Sequence, residues 1–415
     1  MRKPENQETS KRILILTADA GFGHRAAANA IAAALEERYG ERCQAIIVNP
    51  LEDRRAPAVL RRAQSDYDRL IQEMPDLYRF GYRASNGMLP VGIVEQALIV
   101  MLHNTLRDTL RTHQPDAIVT TYPLYQAPLT ALFALNRRYV PLLTVVTDLV
   151  SVHALWFNDE VDLCLVPTET VRAKALDHAL PSARIEVTGL PVNPALAQPV
   201  DRAALRAGLG WRADRYVALF VGSKRVRKLE PVAHAFNHSG LPLELALVTG
   251  GNEALLKAWG EADWHLPAHV YGFVDDMAPM IRAADFIVCK AGGLIVSEAL
   301  ATGLPLMLVE VIPGQETGNA EFVVQGGAGE LAPEPLNALA CACHWLTNDG
   351  ALLACRAAKA RELGRPHAAY RVAELAWQAA QQGPQHREHR LLVQVPRLRE
   401  LLSTRDPDLG AEERS

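Results

Sequence analysis

The sequence has little cysteine, little net charge and no apolar run long enough to cross a bilayer. Six cysteines in 415 residues (Cys43, Cys164, Cys289, Cys341, Cys343 and Cys355) lie scattered through apolar stretches. That pattern argues against a disulfide framework and fits reduced thiols in a cytoplasmic protein. Cys341-Ala-Cys343-His344 does not read as a metal site, because residues two apart on a helix point different ways and no second ligand cluster accompanies it. A formal net charge of -4 argues against wholesale attraction to nucleic acid or to an anionic membrane, while leaving room for local basic patches. No segment reaches the roughly 20 apolar residues of a spanning helix. Met1–Lys11 is polar and lacks the apolar core of a secretion signal. Neither an internal repeat nor a low-complexity tract is present. The expectation is a protein kept on the cytoplasmic side, with no nucleic-acid partner.

What is there is a repeated alternation. Strand-like runs at 12–17, 44–49, 117–121, 141–147, 163–167 and 185–187 are interleaved with helical segments such as 25–39 and 170–179, which predicts an α/β fold with a parallel sheet covered on both faces. After a Pro- and Gly-rich stretch at 189–199 the pattern restarts, with strands at 216–221, 243–249, 270–271, 286–289 and 306–309. Two doubly wound, Rossmann-like domains facing a central cleft are expected, 12–198 and 199–382, with a peripheral tail at 383–415. The last helical segment before Gln382 is expected to cross back to the first domain. Open parallel sheets bind ligands beyond the carboxyl ends of their strands, so the gap between two such sheets is where a reaction belongs.

The most informative stretch is 285–319. The run Phe286–Cys289 reads as a buried strand, and Gly292-Gly293 then lets a helix begin with bare backbone amides, which attract phosphate. Glu298, one turn into that helix, has two oxygens for the hydroxyls of a ribose. Gln315, Glu316 and Asn319 offer hydrogen-bonding groups suited to a sugar. Phosphate, ribose and sugar together point to a nucleotide-sugar.

Three further constellations bear on chemistry. Gly21 and Gly23 permit a tight turn after the first strand, and His24 follows at a helix start, where the positive helix end favours a neutral imidazole that can act as a base. Asp148, at another strand end of the same sheet, is a candidate partner for His24; the alternative is a helix cap. Gly222-Ser223-Lys224-Arg225-Val226-Arg227-Lys228 follows the second domain's first strand, where Lys224 and Arg225 can neutralise a diphosphate; the alternative is a solvated loop. Met88–Leu102 is strongly apolar with Arg107 and Arg111 just beyond, and reads either as a helix dipping into a bilayer interface or as a core helix.

In the order Asp19-Ala-Gly-Phe-Gly-His-Arg-Ala, Val146-Thr-Asp-Leu with Trp156-Phe, Val187-Thr-Gly-Leu-Pro-Val-Asn-Pro194, Gly272-Phe-Val-Asp-Asp-Met277, Lys290-Ala-Gly-Gly-Leu, Ser297-Glu-Ala-Leu, Gly303-Leu-Pro and Pro313-Gly-Gln-Glu-Thr-Gly-Asn319, the chain resembles the monogalactosyldiacylglycerol synthase and processive diacylglycerol glucosyltransferase family. The resemblance spans about residues 12–330. It implies a GT-B fold related to the bacterial GlcNAc transferase of the lipid-linked peptidoglycan precursor. It also implies an inverting, metal-independent transfer of a hexose from UDP-glucose or UDP-galactose to a lipid hydroxyl, diacylglycerol above all, by an enzyme peripheral to the cytoplasmic side of the cell membrane. No cofactor is implied, since the UDP-sugar is a substrate. Carried over by position, His24 is the base with Asp148 as partner or competitor, and Gly21 and Gly23 line the acceptor side. Phe273 and Val274 contact uracil through backbone groups; Gly292, Gly293 and Leu294 hold the diphosphate, Glu298 the ribose, and Gln315, Glu316 and Asn319 the hexose. Two departures stand out: Gly222 leads into cations where many members have a glycine-rich loop, and Ile295 stands where threonine is common. The competing expectations are a UDP-sugar epimerase of the same fold, a transferase to a polyprenyl or other lipid, and a non-catalytic binding relative.

Overall fold

The computed structural model describes residues 10–20, 22–61, 88–224 and 226–386. Gly21, Arg225 and the greater part of the expected tail, 387–415, lie outside the described residues.

The first sheet is built from β1 (Lys11–Leu16), β2 (Cys43–Val48), β3 (Ala117–Thr120), β5 (Leu142–Val145), β6 (Leu163–Val166) and β7 (Ile185–Val187), all parallel, in the order β2-β1-β3-β5-β6-β7. A short strand β4 (Arg138–Tyr139) lies outside it. The second sheet contains β8 (Tyr216–Val221), β9 (Leu243–Val248), β10 (Ala268–Tyr271), β11 (Phe286–Lys290), β12 (Leu306–Glu310) and β13 (Gly329–Leu331), also all parallel, in the order β10-β9-β8-β11-β12-β13. The expected α/β class with two Rossmann-like sheets is what the chain adopts. The short strands β4, β13 and β14 (Gln385–His386) were not anticipated, being too brief to carry a pattern.

Side chains alternate across each sheet. Leu14 and Leu16 enter one apolar cluster, while Ile13 and Ile15 enter another on the opposite face. In the second sheet Val217 and Leu219 face one core, Ala218 and Phe220 the other. With both faces buried, the strands need continuous apolar runs, and Ile13 to Leu16 are all fully buried.

Among the described residues the chain passes between the sheets twice. The first crossing includes Gly189, whose φ of +89° favours glycine and whose missing side chain matters as much. A Cβ there would lie 2.4 Å from the Cβ of Arg365, which belongs to the second crossing. Beyond it the helix Ala368–Gln382 packs on the first sheet, where Ala369, Val372, Ala373, Ala376 and Ala380 join Ile13, Ala28 and Ile31 in one buried cluster. Small side chains let the helix approach closely. Tyr370 donates to Glu37 at 2.6 Å, Gln198 donates to Tyr370 at 2.8 Å, and Arg371 pairs with Glu186 at 2.6 Å.

Overpacking this seam should be felt at once. Ala376→Leu is expected to cost about 1–3 kcal/mol, seen as a lower urea midpoint with an unchanged slope. A midpoint equal to wild type would mean that the seam is looser than described.

Candidate functional site

The carboxyl ends of both sheets open into one cleft of about 1170 Å³. Its lining includes His24, Gly23 and Asp148 from the first half, and Gly222, Lys224, Phe273, Val274, Gly292, Gly293, Leu294, Glu298, Gln315, Glu316 and Asn319 from the second. Each lies just beyond a strand or in the helix that follows it, because β1 and β8 each sit between neighbours that wind in opposite directions, which opens a crevice.

His24 lies in the first turn of the helix Phe22–Tyr39, which begins earlier than the sequence pattern suggests. Its Nδ1 is 2.8 Å from the carbonyl oxygen of Thr121 and 2.7 Å from Oγ1 of Thr147. A carbonyl can only accept, so Nδ1 carries the proton and Nε2 keeps its lone pair. Tyr122 meets the ring edge-on at 5.0 Å, and Trp156 lies 6.1 Å away. Burial pushes the imidazole down to about 4, against a smaller opposing effect of the Thr121 carbonyl. Desolvation, more than the helix terminus, keeps this ring neutral.

Asp148 does not orient His24 in this structure. Its Oδ2 accepts from the indole nitrogen of Trp156 at 2.7 Å, and the residues that hold the imidazole are Thr121 and Thr147. Burial raises the Asp148 carboxyl to about 6, opposed by the indole and by the charge of Lys174. Two titratable groups with values pushed in opposite directions thus line the same wall.

On the other wall, Gly292 precedes the helix Gly293–Thr302 and supplies no side-chain cap. Val296 donates to the Gly292 carbonyl at 3.0 Å, which leaves the amides of Gly293, Leu294 and Ile295 with no acceptor inside the helix. A Cβ on Gly292 would lie 2.8 Å from Nζ of Lys290. Lys290, missed in the sequence reading, is ion-paired with Glu316 and lines the cleft. Its signal was available: a lysine at a strand end immediately before Ala-Gly-Gly.

Glu316 is less open than expected. One carboxylate oxygen meets Lys290 and the other accepts from the Ile312 amide at 3.0 Å, so a sugar hydroxyl would have to share them. Asn319 donates to the Ala291 carbonyl at 3.0 Å, and its Oδ1 is buried with no partner among the described residues. The Glu298 carboxylate makes no hydrogen bond among the described residues, although its backbone carbonyl accepts from Thr302 at 3.3 Å, and burial, with the nearby charge of Asp276, raises the carboxyl to about 7. Phe273 is 62% exposed at the cleft mouth. Gly222 is backed by Gly250, where φ is +60° and a Cβ would collide with the Gly222 carbonyl at 2.2 Å.

Residues 24–192 match the family model described as monogalactosyldiacylglycerol (MGDG) synthase, and residues 216–335 match the glycosyltransferase family 28 C-terminal domain. Among curated relatives, the probable monogalactosyldiacylglycerol synthase, chloroplastic, of Nicotiana tabacum is 30% identical over 383 residues, 89% of this chain and 71% of that protein. The monogalactosyldiacylglycerol synthase, chloroplastic, of Spinacia oleracea is 31% identical over 378 residues, 88% of this chain and 72% of that protein. Among solved structures, Acinetobacter baumannii MurG aligns with a TM-score of 0.56 at 20% identity, covering 89% of this chain and 99% of that one. UDP-GlcNAc 2-epimerase from Neisseria meningitidis, bound to UDP-GlcNAc, aligns with a TM-score of 0.57 at 14% identity, covering 88% and 100%. Both likenesses are of fold, the GT-B arrangement.

The His24 environment has a direct signature. In a nuclear magnetic resonance titration, assigned against His24→Gln, the ring should titrate near 4 in place of the ordinary 6.5. The folded value lies below the unfolded one, so this group's stabilising contribution is present above pH 6.5 and is lost as pH falls toward about 4. A midpoint at or above 6.5 would show a hydrated imidazole and contradict the buried geometry.

Proposed function

The chain belongs to the monogalactosyldiacylglycerol synthase family and is a UDP-sugar-dependent hexosyltransferase with a lipid acceptor, and on that premise we propose that it transfers a hexose to the free hydroxyl of diacylglycerol with inversion at the sugar. The relatives' names favour galactose over glucose as that hexose. In this reading residues 12–198 receive the lipid and residues 199–382 hold the UDP-sugar.

The observation that carries the proposal is an imidazole with an uncommitted Nε2 lining the same cleft as a helix start with bare amides. Nε2 of His24, left unprotonated by the Nδ1 bond to Thr121, takes the proton of the lipid hydroxyl as its oxygen attacks the anomeric carbon. The bond to UDP breaks on the opposite face. The departing diphosphate charge falls on the amides of Gly293, Leu294 and Ile295, on the positive end of that helix, and on Lys224 at the cleft wall. Glu298 takes the ribose hydroxyls, backbone groups of Phe273 and Val274 take uracil, and Gln315, Glu316 and Asn319 take the hexose. Lys290 joins them by pairing with Glu316 and fixing its carboxylate. Asp148, held by the Trp156 indole on the same wall and raised by burial to about 6, supplies a carboxylate charge that can stabilise the imidazolium as it forms.

The lipid has a plausible approach. In the helix Met88–His113, Leu98, Ile99 and Leu102 face the core, while Ile93 is 72% and Val100 44% exposed. Ile93, Ala97 and Val100 recur at helical spacing along one exposed strip that continues through Asn104 to Arg111, whereas Arg107 is largely covered and paired with Asp108. The helix packs on the turns Pro123–Tyr125 and Ala154–Trp156, next to Tyr122 and Trp156 at the His24 wall. The interfacial and core readings of this segment therefore divide between its two faces. Among the described residues no helix is long and apolar enough to cross a membrane. We assign the protein a peripheral position on the cytoplasmic face of the cell membrane, with this strip against the lipid.

Purified protein with labelled UDP-galactose or UDP-glucose and diacylglycerol should form a β-linked monohexosyl lipid, faster from UDP-galactose. His24→Ala should lower kcat by about 10²–10⁴-fold while UDP binding is kept. An altered sugar recovered without any acceptor would reveal an epimerase, and exclusive use of a polyprenyl lipid would replace the acceptor. Val100→Asp should release the protein from liposomes in sedimentation with its melting temperature unchanged; retention on the vesicles would sink the membrane assignment.

A further inference from the structure

We infer that residues 147–151 form a tongue by which the first half of the molecule holds the sugar-side helix of the second, with Val150 and Ser151 as positioning residues for the transfer. Leu149 comes from the first half but is 5% exposed within the second half's core, in one buried cluster with Leu308 and Ala320. The tongue's backbone is pinned from its own side: Thr168 Oγ1 donates to the Leu149 carbonyl at 3.2 Å and Lys174 to the Val150 carbonyl at 2.7 Å. At its root Thr147 touches His24.

The tip meets two glycines. A Cβ on Gly293, at the diphosphate helix, would lie 3.6 Å from Leu149, an ordinary contact. A Cβ on Gly318 would lie 2.8 Å from Ser151 Oγ and 2.9 Å from Val150 Cγ1, closer than side chains tolerate. Gly318 lies in the first turn of the helix Thr317–Gln325, whose N-cap Glu316 makes no side-chain cap. Its amide donates to Ser151 Oγ at 3.3 Å. Ser151 therefore caps, from the opposite half of the molecule, a helix that carries Glu316 and Asn319 into the sugar subsite. One short segment thus touches the base, the diphosphate helix and the sugar helix, and sets their separation. Displacements well under 1 Å at a reacting pair are enough to matter for rate.

The proposal rests on the transfer reaction assigned to this cleft, but not on His24 being its base. Gly318→Ala, which wedges tongue and helix apart, should lower kcat at least about tenfold, with the dissociation constant for UDP by calorimetry within about twofold of wild type. In a chain already carrying Val150→Ala and Ser151→Ala, the two closest atoms are gone and only Val150 Cβ, at 3.2 Å, remains near, so the same substitution should cost less than about threefold. Equal penalties in both chains, or a penalty below about twofold in the first, would overturn the tongue's role. If Gly318→Ala does not fold, Ser151→Ala decides: kcat should fall about threefold or more and Ser151→Thr, which keeps the oxygen, should recover it, whereas wild-type kcat in Ser151→Ala overturns the proposal. A wild-type chain that glycosylates no lipid would instead remove the proposed function itself.

Discussion

A single hydrogen bond, from Nδ1 of His24 to the carbonyl of Thr121, governs what the cleft can do. The carbonyl projects from the end of β3, a strand adjacent to the one that leads into the His24 helix, so the parallel sheet itself selects the tautomer. With Nδ1 committed, Nε2 is the nitrogen that can receive a proton. Burial between Tyr122 and Trp156 then holds the ring neutral over the whole range in which a cell works. Had the partner been a carboxylate, the imidazolium would be favoured and the base would be spent before the acceptor arrived.

The opposite wall uses the same economy of means. A positive helix end and bare amides line it beside Lys224 and Lys290, an arrangement that suits the diphosphate of the proposed donor. Burial raises Glu298 to about 7, so it is partly neutral near physiological pH, whereas Asp148, at about 6, is mostly ionised there.

The architecture was largely readable from the chain because buried parallel strands must be apolar throughout, and runs such as Tyr216–Val221 and Phe286–Cys289 have no other comfortable fate. Glycines at Gly292 and Gly293 and the cluster at Gln315, Glu316 and Asn319 were legible for a similar reason: each follows a strand, and strand ends on one edge converge. What could not be read was pairing. Asp148 and His24 lie at converging strand ends, yet the indole of Trp156 captures the carboxylate, and the imidazole goes to a backbone carbonyl, which leaves no trace in residue type. Glu316 looked like a sugar ligand and proved to be shared with Lys290, because the strand end places the lysine over Gly292. Met88–Leu102 posed a choice between core and surface that a composition cannot make, since Leu102 is buried and Val100 is not.

Gly189 and Arg365 lie against one another although 176 positions separate them in the sequence, as their numbers show. The two spans that join the lobes therefore pass side by side, and Gln198, Glu37 and Tyr370 knot the neighbourhood together. Two adjacent tethers act mechanically as one seam at a single edge. With Leu149 seated in the opposite core as a second, internal anchor, the halves are fastened at two separate places, which resists both sliding and twisting of one against the other.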